Sequence, residues 1–222
     1  PMSFLSRIFW VVLTSIVVTA CVGTRVTSYV DPQHDVSKSF KRVIVLADGM
    51  PLDELMMMEK HLAWKISARG LEAIMSSELA PLTQKYSDEE YRRIIRKSGA
   101  DAILTVVLKG KRTRNHYVPP TYHPGQTTAT VHTFGSTAYV NTYTSPGYTT
   151  GGFSVEKPSA NYDAKLLDLE TGKVVWIASG KSRGGGGRTY RHLAKSMAVA
   201  TVKKLIKDGL IHPKSPPQKV TN

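Results

Sequence analysis

Apolar positions change their period along the chain, and each change marks an element. RVIVLAD, Arg42 to Asp48, is a β-branched run that reads as the first core strand, ended by Gly49-Met50-Pro51. In LDELMMMEKHLAWKISARG, Leu52, Leu55, Met56, Leu62, Ala63 and Ile66 recur at three- and four-residue spacing. That spacing predicts a helix with one apolar face, stopped at Gly70, and makes the methionines core or helix-interface residues instead of thioether metal ligands. GLEAIMSS predicts a second strand. Ser87 to Glu90 is a Ser-x-x-Glu capping box opening a short helix that turns Tyr91, Ile94 and Ile95 inward and ends at Gly99. DAILTVVLKGK reads as an apolar strand that becomes basic as it leaves the core. NYDAKLLDLETGKVVWIASGKS reads as two strands joined around Glu170-Thr171-Gly172, with Trp176 in the core between sheet and last helix. The final helix runs from Thr189 to Asp208. Tyr190, Leu193, Ala194, Met197, Thr201 and Leu205 form its apolar face, Lys195, Lys203, Lys204 and Lys207 its wet one, and Gly209 closes it. Alternating strands and helices followed by a strand hairpin give an α/β (α+β) fold, a mixed sheet with helices packed on it.

One stretch fits neither period. From Asn115 to Val155, 41 residues carry no Asp, Glu, Lys or Arg, and Thr, Tyr, Gly and Pro dominate. Within it TTATVHTFGSTAYVNTYTS splits at Gly135-Ser136 into two strand-like halves of similar length. Two readings stand: a loop of weak β content, or a β-hairpin arm that pairs with a neighbour's edge or lies in a membrane.

The amino-terminal pattern changes the picture of where the chain works. Arg7, the apolar run Ile8 to Val18 and then Thr19-Ala20 follow the order of a secretory signal peptide, and the run is too short for a membrane-spanning helix of roughly 20 residues. The next residue is the only cysteine, Cys21. Val18-Thr19-Ala20-Cys21 resembles a bacterial lipobox, and the resemblance implies cleavage after Ala20 and lipid on the Cys21 thiol. Residues 1–20 are then a signal peptide, 21–40 a lipidated polar tether, 41–211 a single domain with the insertion 115–155, and 212–222 a tail. With Cys21 committed to lipid no thiol remains for a disulfide, a cysteine-ligated zinc or thiol catalysis. Val22 and Gly23 lack the Asp of inner-membrane retention, which points to the outer membrane and a periplasm-facing domain.

DAILTVVLKG, YDAKLLDLETGKVVWIASGKSRG and LAKSMAVATVKKLIKDGLI carry a further resemblance, over residues 40–112 and 156–211. They are similar to a group of bacterial lipoproteins with an α/β domain. The group includes the curli secretion lipoprotein, the lipoprotein activators of penicillin-binding proteins and the amino-terminal domain of the Tol translocation protein. The resemblance implies a non-catalytic binding or assembly domain in the cell envelope, with an oligomeric secretion or pore-type lipoprotein using the 115–155 hairpin as the alternative.

Charge sets the class of partner. The formal net charge is +13, so anionic partners are attracted at long range. For an exported chain these are lipid headgroups, anionic glycans and envelope proteins in place of nucleic acid, and homo-oligomerisation stays open. Candidate anion or partner contacts are Lys109, Lys111 and Arg112, and Arg183 with Arg188 beside the amides at the start of the last helix. Gly180-Lys181-Ser182 has the ending of a phosphate-binding loop, but Val175 stands where that motif needs glycine. Gly184 to Gly187 read as a flexible link. His116, His123 and His132 lack metal-ligand spacing and read as a surface loop. No Ser-His-Asp set is selected, so no catalytic, cofactor or metal residue is named and an enzyme ranks last. Metabolic labelling with palmitate is expected to mark the wild-type chain and to spare Cys21→Ala, which leaves the membrane fraction or stays unprocessed; an unlabelled wild type refutes the lipobox.

Overall fold

The structure is a computed structural model that describes residues 22–35, 37, 38, 40–134 and 137–212. Cys21, the signal-peptide expectation and residues 213–222 of the expected tail lie outside the described residues. The described chain divides into two compact units, residues 22–113 with 157–212, and Arg114–Glu156.

In the first unit a six-stranded sheet has the order β1-β10-β9-β4-β2-β3. Its strands are β1 (Gly23–Val30), β2 (Arg42–Asp48), β3 (Glu72–Met75), β4 (Ala102–Val118), β9 (Phe153–Asp168) and β10 (Val174–Arg183). β2 pairs in parallel with β3 and β4, whereas β10 pairs antiparallel with β9 and β1, so the sheet is mixed as the alternation of elements predicts. The helices are α1 (Leu52–Ser67), α2 (Ser76–Leu79), α3 (Asp88–Ser98) and α4 (Tyr190–Lys207). The capping box on α3 forms, with Ser87 and Glu90 exchanging hydrogen bonds, and Gly99 closes the helix at φ 66°.

β1 corrects the reading of residues 21–40 as a tether. Gly23 to Val30 lie along β10 in register from Gly23↔Arg183 to Val30↔Trp176. The inward positions Thr24, Val26, Ser28 and Val30 alternate with exposed Gly23, Arg25, Thr27 and Tyr29. Half of the inward set is hydroxylic, so hydropathy does not reveal the period of two. Those hydroxyls are bonded: Thr24 Oγ1 donates to Ser182 Oγ at 2.8 Å and lies 2.7 Å from Ser196 Oγ, and Ser28 Oγ donates to Asp208.

α1 departs from its expected face. Its buried residues are Met58, Glu59, Leu62 and Ile66, while Leu52 and Met56 are more than half exposed. The helix packs against both the sheet and α4. The stripe at 58, 62 and 66 serves those contacts, and Leu55 packs against its edge, which leaves Leu52 and Met56 on the open side of the helix.

α4 buries Leu193, Ala194, Met197, Ala198, Thr201, Val202 and Leu205. Trp176 is 1% exposed, and its indole Nε1 donates to Asp208 Oδ2 at 2.8 Å. Lys204 Nζ donates to Asp208 Oδ1 at 2.6 Å. Burial pushes this carboxyl up, but the hydrogen bonds from Lys204, Ser28 and Trp176 outweigh it and hold the group below its ordinary value of 3.8. Asp168, at the β9–β10 turn, is likewise lowered: burial acts upward, and the Lys38 ammonium and the Glu170 amide prevail. On the sheet, the Tyr162 ring lies over Gly180; a Cβ there would sit 2.2 Å from Tyr162 Cε1. Burial raises the Tyr162 hydroxyl to about 12, against the opposing hydrogen bond with Thr201.

Two outcomes follow from this packing. Gly180→Ala should lower stability by about 1–3 kcal/mol, because the rings and sheet have no slack for a methyl at that distance; thermal melting of the variant checks it. Because the folded-state pKa of Asp208 is depressed, its stabilisation is complete above 3.8 and is lost as pH falls through the folded-state value. Asp208→Asn should therefore cost about 2 kcal/mol at neutral pH. Urea titrations should also show a flatter loss of stability than wild type below about pH 4.

Candidate functional site

Backbone direction decides which cations can act together. Lys109 pairs with Asp163 at 3.7 Å. Lys111 pairs with Glu54 at 3.1 Å and lies 4.8 Å from the Tyr190 ring centroid, so neither lysine is an unoccupied anion contact. Arg112 is exposed on β4, where its carbonyl accepts a hydrogen bond from Ser159 Oγ at 3.1 Å. Arg188 is half-buried in the link before α4. The Thr189 amide at the start of α4 is used within the helix cap, donating to His192 Nδ1 at 3.2 Å. Arg183 stands at the exposed end of β10. The structure brings it together with Lys181 on the same strand face, weighed in the sequence only as the ending of a phosphate-binding loop, and with Arg25 opposite Lys181 on β1, which the sequence reading did not single out. They line a cleft of about 510 Å³ with Gly23 and Thr24.

A second cavity, of about 360 Å³, opens where β2 and β3 end and includes Asp48, Glu59, Ser76, Gln84 and Tyr91. Glu59 is 1% exposed and was hidden in the helical pattern of α1. Its Oε1 accepts from the Ala47 amide at 3.2 Å and Ser76 Oγ at 3.1 Å; its Oε2 accepts from the Ser77 amide at 3.2 Å and Ser77 Oγ at 2.6 Å. These four bonds fill the acceptor sites of a carboxylate, which makes Glu59 a staple between β2, α1 and α2. Beside it burial raises the Tyr91 phenol, with a Ser76 hydrogen bond acting downward and the Glu59 charge upward. The phenol is therefore a neutral hydrogen-bonding group.

The Arg114–Glu156 unit consists of paired strands. β5 (Thr121–His123) pairs with β8 (Tyr148–Thr150), and β6 (Thr127–Phe134) with β7 (Thr137–Thr144), both antiparallel. Of the two readings of the uncharged stretch, the hairpin is the one that forms, although Gly135 and Ser136 lie outside the described residues. His116, His123 and His132 stand in β4, β5 and β6, which corrects the surface-loop expectation. His123 stacks on Tyr148 with ring centroids 4.7 Å apart and bonds Thr150 Oγ1 at 2.9 Å. Among the described residues no three His, Cys, Asp or Glu side chains gather as a metal site.

On the β6–β7 ribbon, opposed residues share a face. Thr128, Thr130 and His132 lie with Tyr143, Asn141 and Tyr139; Thr127, Ala129 and Val131 lie with Thr144, Thr142 and Val140. Tyr139 and Tyr143 are 64% and 74% exposed, and Val131 and Val140 are 58% exposed. Both faces thus offer apolar or aromatic surface without charge.

No protein-family model matches the chain, and no curated protein matches it. Solved structures similar to it include the PelC dodecamer from Paraburkholderia phytofirmans, at 17% identity and TM-score 0.48, covering 86% of this chain and 99% of that one. Lipoprotein GNA1162 from Neisseria meningitidis is similar at 13% identity and TM-score 0.42, covering 75% of this chain and 99% of that one. A PDZ domain protein from Parabacteroides distasonis matches at 9% identity and TM-score 0.38, over 90% of this chain and 40% of that one.

Proposed function

We propose that this chain is a bacterial cell-envelope lipoprotein, held in the outer membrane through lipid on Cys21 and facing the periplasm, that acts as a non-catalytic binding or assembly module. The observation that carries the reading is the uncharged β6–β7 ribbon with Tyr139 and Tyr143 exposed on one face and Val131 and Val140 on the other. An isolated two-stranded ribbon is marginal in water. Uncharged surface rich in tyrosine is the composition of interface cores. A partner that covers the ribbon supplies the burial it lacks, and the simplest partner is a second copy of the chain. A lipid anchor supports this by concentrating copies in one plane.

Insertion of the ribbon as a pore is the second reading. Its strands have 8 residues each, just short of the 9–11 or so that a tilted transmembrane strand requires. Thr127, Thr142 and Thr144 lie on the more apolar face. Pairing with a protein surface fits better.

Deleting residues 120–150 separates the readings. Light scattering on the detergent-solubilised chain should give an assembly for wild type and a monomer for the deletion, with the far-ultraviolet signal of the α/β unit kept. A monomer in both cases refutes self-assembly, and conductance in planar bilayers that depends on residues 120–150 assigns a pore instead.

A further inference from the structure

The exposed face of β1, β10 and β9 is polarised along the strands. Its cross-strand rows are Tyr29–Ile177–Lys165, Thr27–Ser179–Asp163, Arg25–Lys181–Asn161 and Gly23–Arg183–Ser159. The first row sets Tyr29 and Ile177 beside one exposed cation, Lys165, along a groove that also includes Asp163; the last two rows carry three cations, Arg25, Lys181 and Arg183, all exposed, and no carboxylate. Among the described residues five cations of this unit are ion-paired, Lys38 with Asp168 and Glu170, Arg42 with Glu72, Lys109 with Asp163, Lys111 with Glu54 and Lys204 with Asp208. Arg25, Lys181 and Arg183 have no ion pair among the described residues. Arg25 and Lys181 are moreover direct cross-strand partners, and like charges placed opposite each other destabilise a sheet. A bound anion removes that repulsion, and the cleft between these side chains is open to one.

The position of the cluster in the chain identifies the anion. Gly23, the first residue of β1, is two residues after Cys21, and two residues span at most about 7 Å. On the envelope-lipoprotein reading, on which this inference rests, the acyl chains enter the bilayer beside the cleft, at the depth where phosphodiester groups lie. We infer that Arg25, Lys181 and Arg183 form a headgroup site for an anionic phospholipid, which fixes the orientation of the α/β unit against the membrane. A lipid anchor by itself holds the chain at the surface but leaves the unit free to turn; three cations at one end of the β1–β10 pair remove that freedom.

Vesicle sedimentation with the full chain carrying Cys21→Ser tests the site without the anchor. Vesicles of phosphatidylcholine are compared with an equimolar mixture of phosphatidylcholine and phosphatidylglycerol. The apolar amino-terminal run contributes to both, so the ratio reads the headgroup charge. The mixture should be preferred by about 100-fold, the amount expected of three cations at an anionic surface. The preference should shrink with salt and vanish in Arg25→Gln/Lys181→Gln/Arg183→Gln. Lys195→Gln/Lys203→Gln/Lys207→Gln, which removes equal charge from the wet face of α4, should keep it. No preference in the starting chain, or equal loss in both triple variants, overturns the site. So does retention of the cation-dependent binding on polygalacturonate beads alone, which would assign the cluster to an acidic glycan. Palmitate labelling of the wild type tests the anchor separately, so either idea can fail while the other stands.

Discussion

Asp208 is the constraint on which the α/β unit depends. It caps α4, and through its two oxygens it accepts the indole N–H of Trp176 on β10, the hydroxyl of Ser28 on β1 and the ammonium of Lys204 one turn back. One side chain thus sets the height of the last helix on the sheet, the rotamer of the largest core residue and the lateral position of the edge strand. Three charge-assisted hydrogen bonds in a part-buried setting are the strong kind, because the surrounding dielectric is low and each donor is directed. Once α4 is fixed this way, Leu193, Met197 and Leu205 meet the sheet, and Tyr162 closes over Gly180 beneath Thr201.

Much of this framework was legible in the sequence, for local reasons. Ser87, Glu90 and Gly99 define α3 because capping is a short-range matter, and Glu170-Thr171-Gly172 marks the β9–β10 turn because Gly172 needs φ of 69°. Trp176 was placed in the core by its apolar neighbours. What stayed hidden depends on distant partners. β1 looked like a tether because Thr24 and Ser28 bury hydroxyls whose acceptors lie far along the chain. Glu59 drew no reading because its donors come from β2 and α2, and Leu52 and Met56 were counted in the apolar face because periodicity does not say which of its positions a neighbour covers.

The same division holds at the candidate sites. The absence of charge from residue 115 to 155 marked the ribbon before any pairing was known, but the β5–β8 ladder is made of three-residue strands that leave no period to read. Arg183 stood out as part of a basic run, whereas its neighbours on the sheet follow from the β1–β10 register. Lys109 and Lys111 stood out equally, and the fold commits them to Asp163 and Glu54. A list of cations in sequence becomes a surface only after the carboxylates have been assigned.

The pairing of β1 with β10 also sets an order of assembly. Thr24 and Ser182 are 158 positions apart, so a chain made from its amino terminus displays β1 long before its partner strand exists. Closing so long a loop costs only slightly more than closing a shorter one, but it cannot begin until β10 has been made. The β2-α1-β3 crossover and β4, with near neighbours to pair, can consolidate first. The strand nearest the start of the described chain is therefore among the last to dock, and its arrival, completed by Ser28 on Asp208, marks that the chain is present through α4.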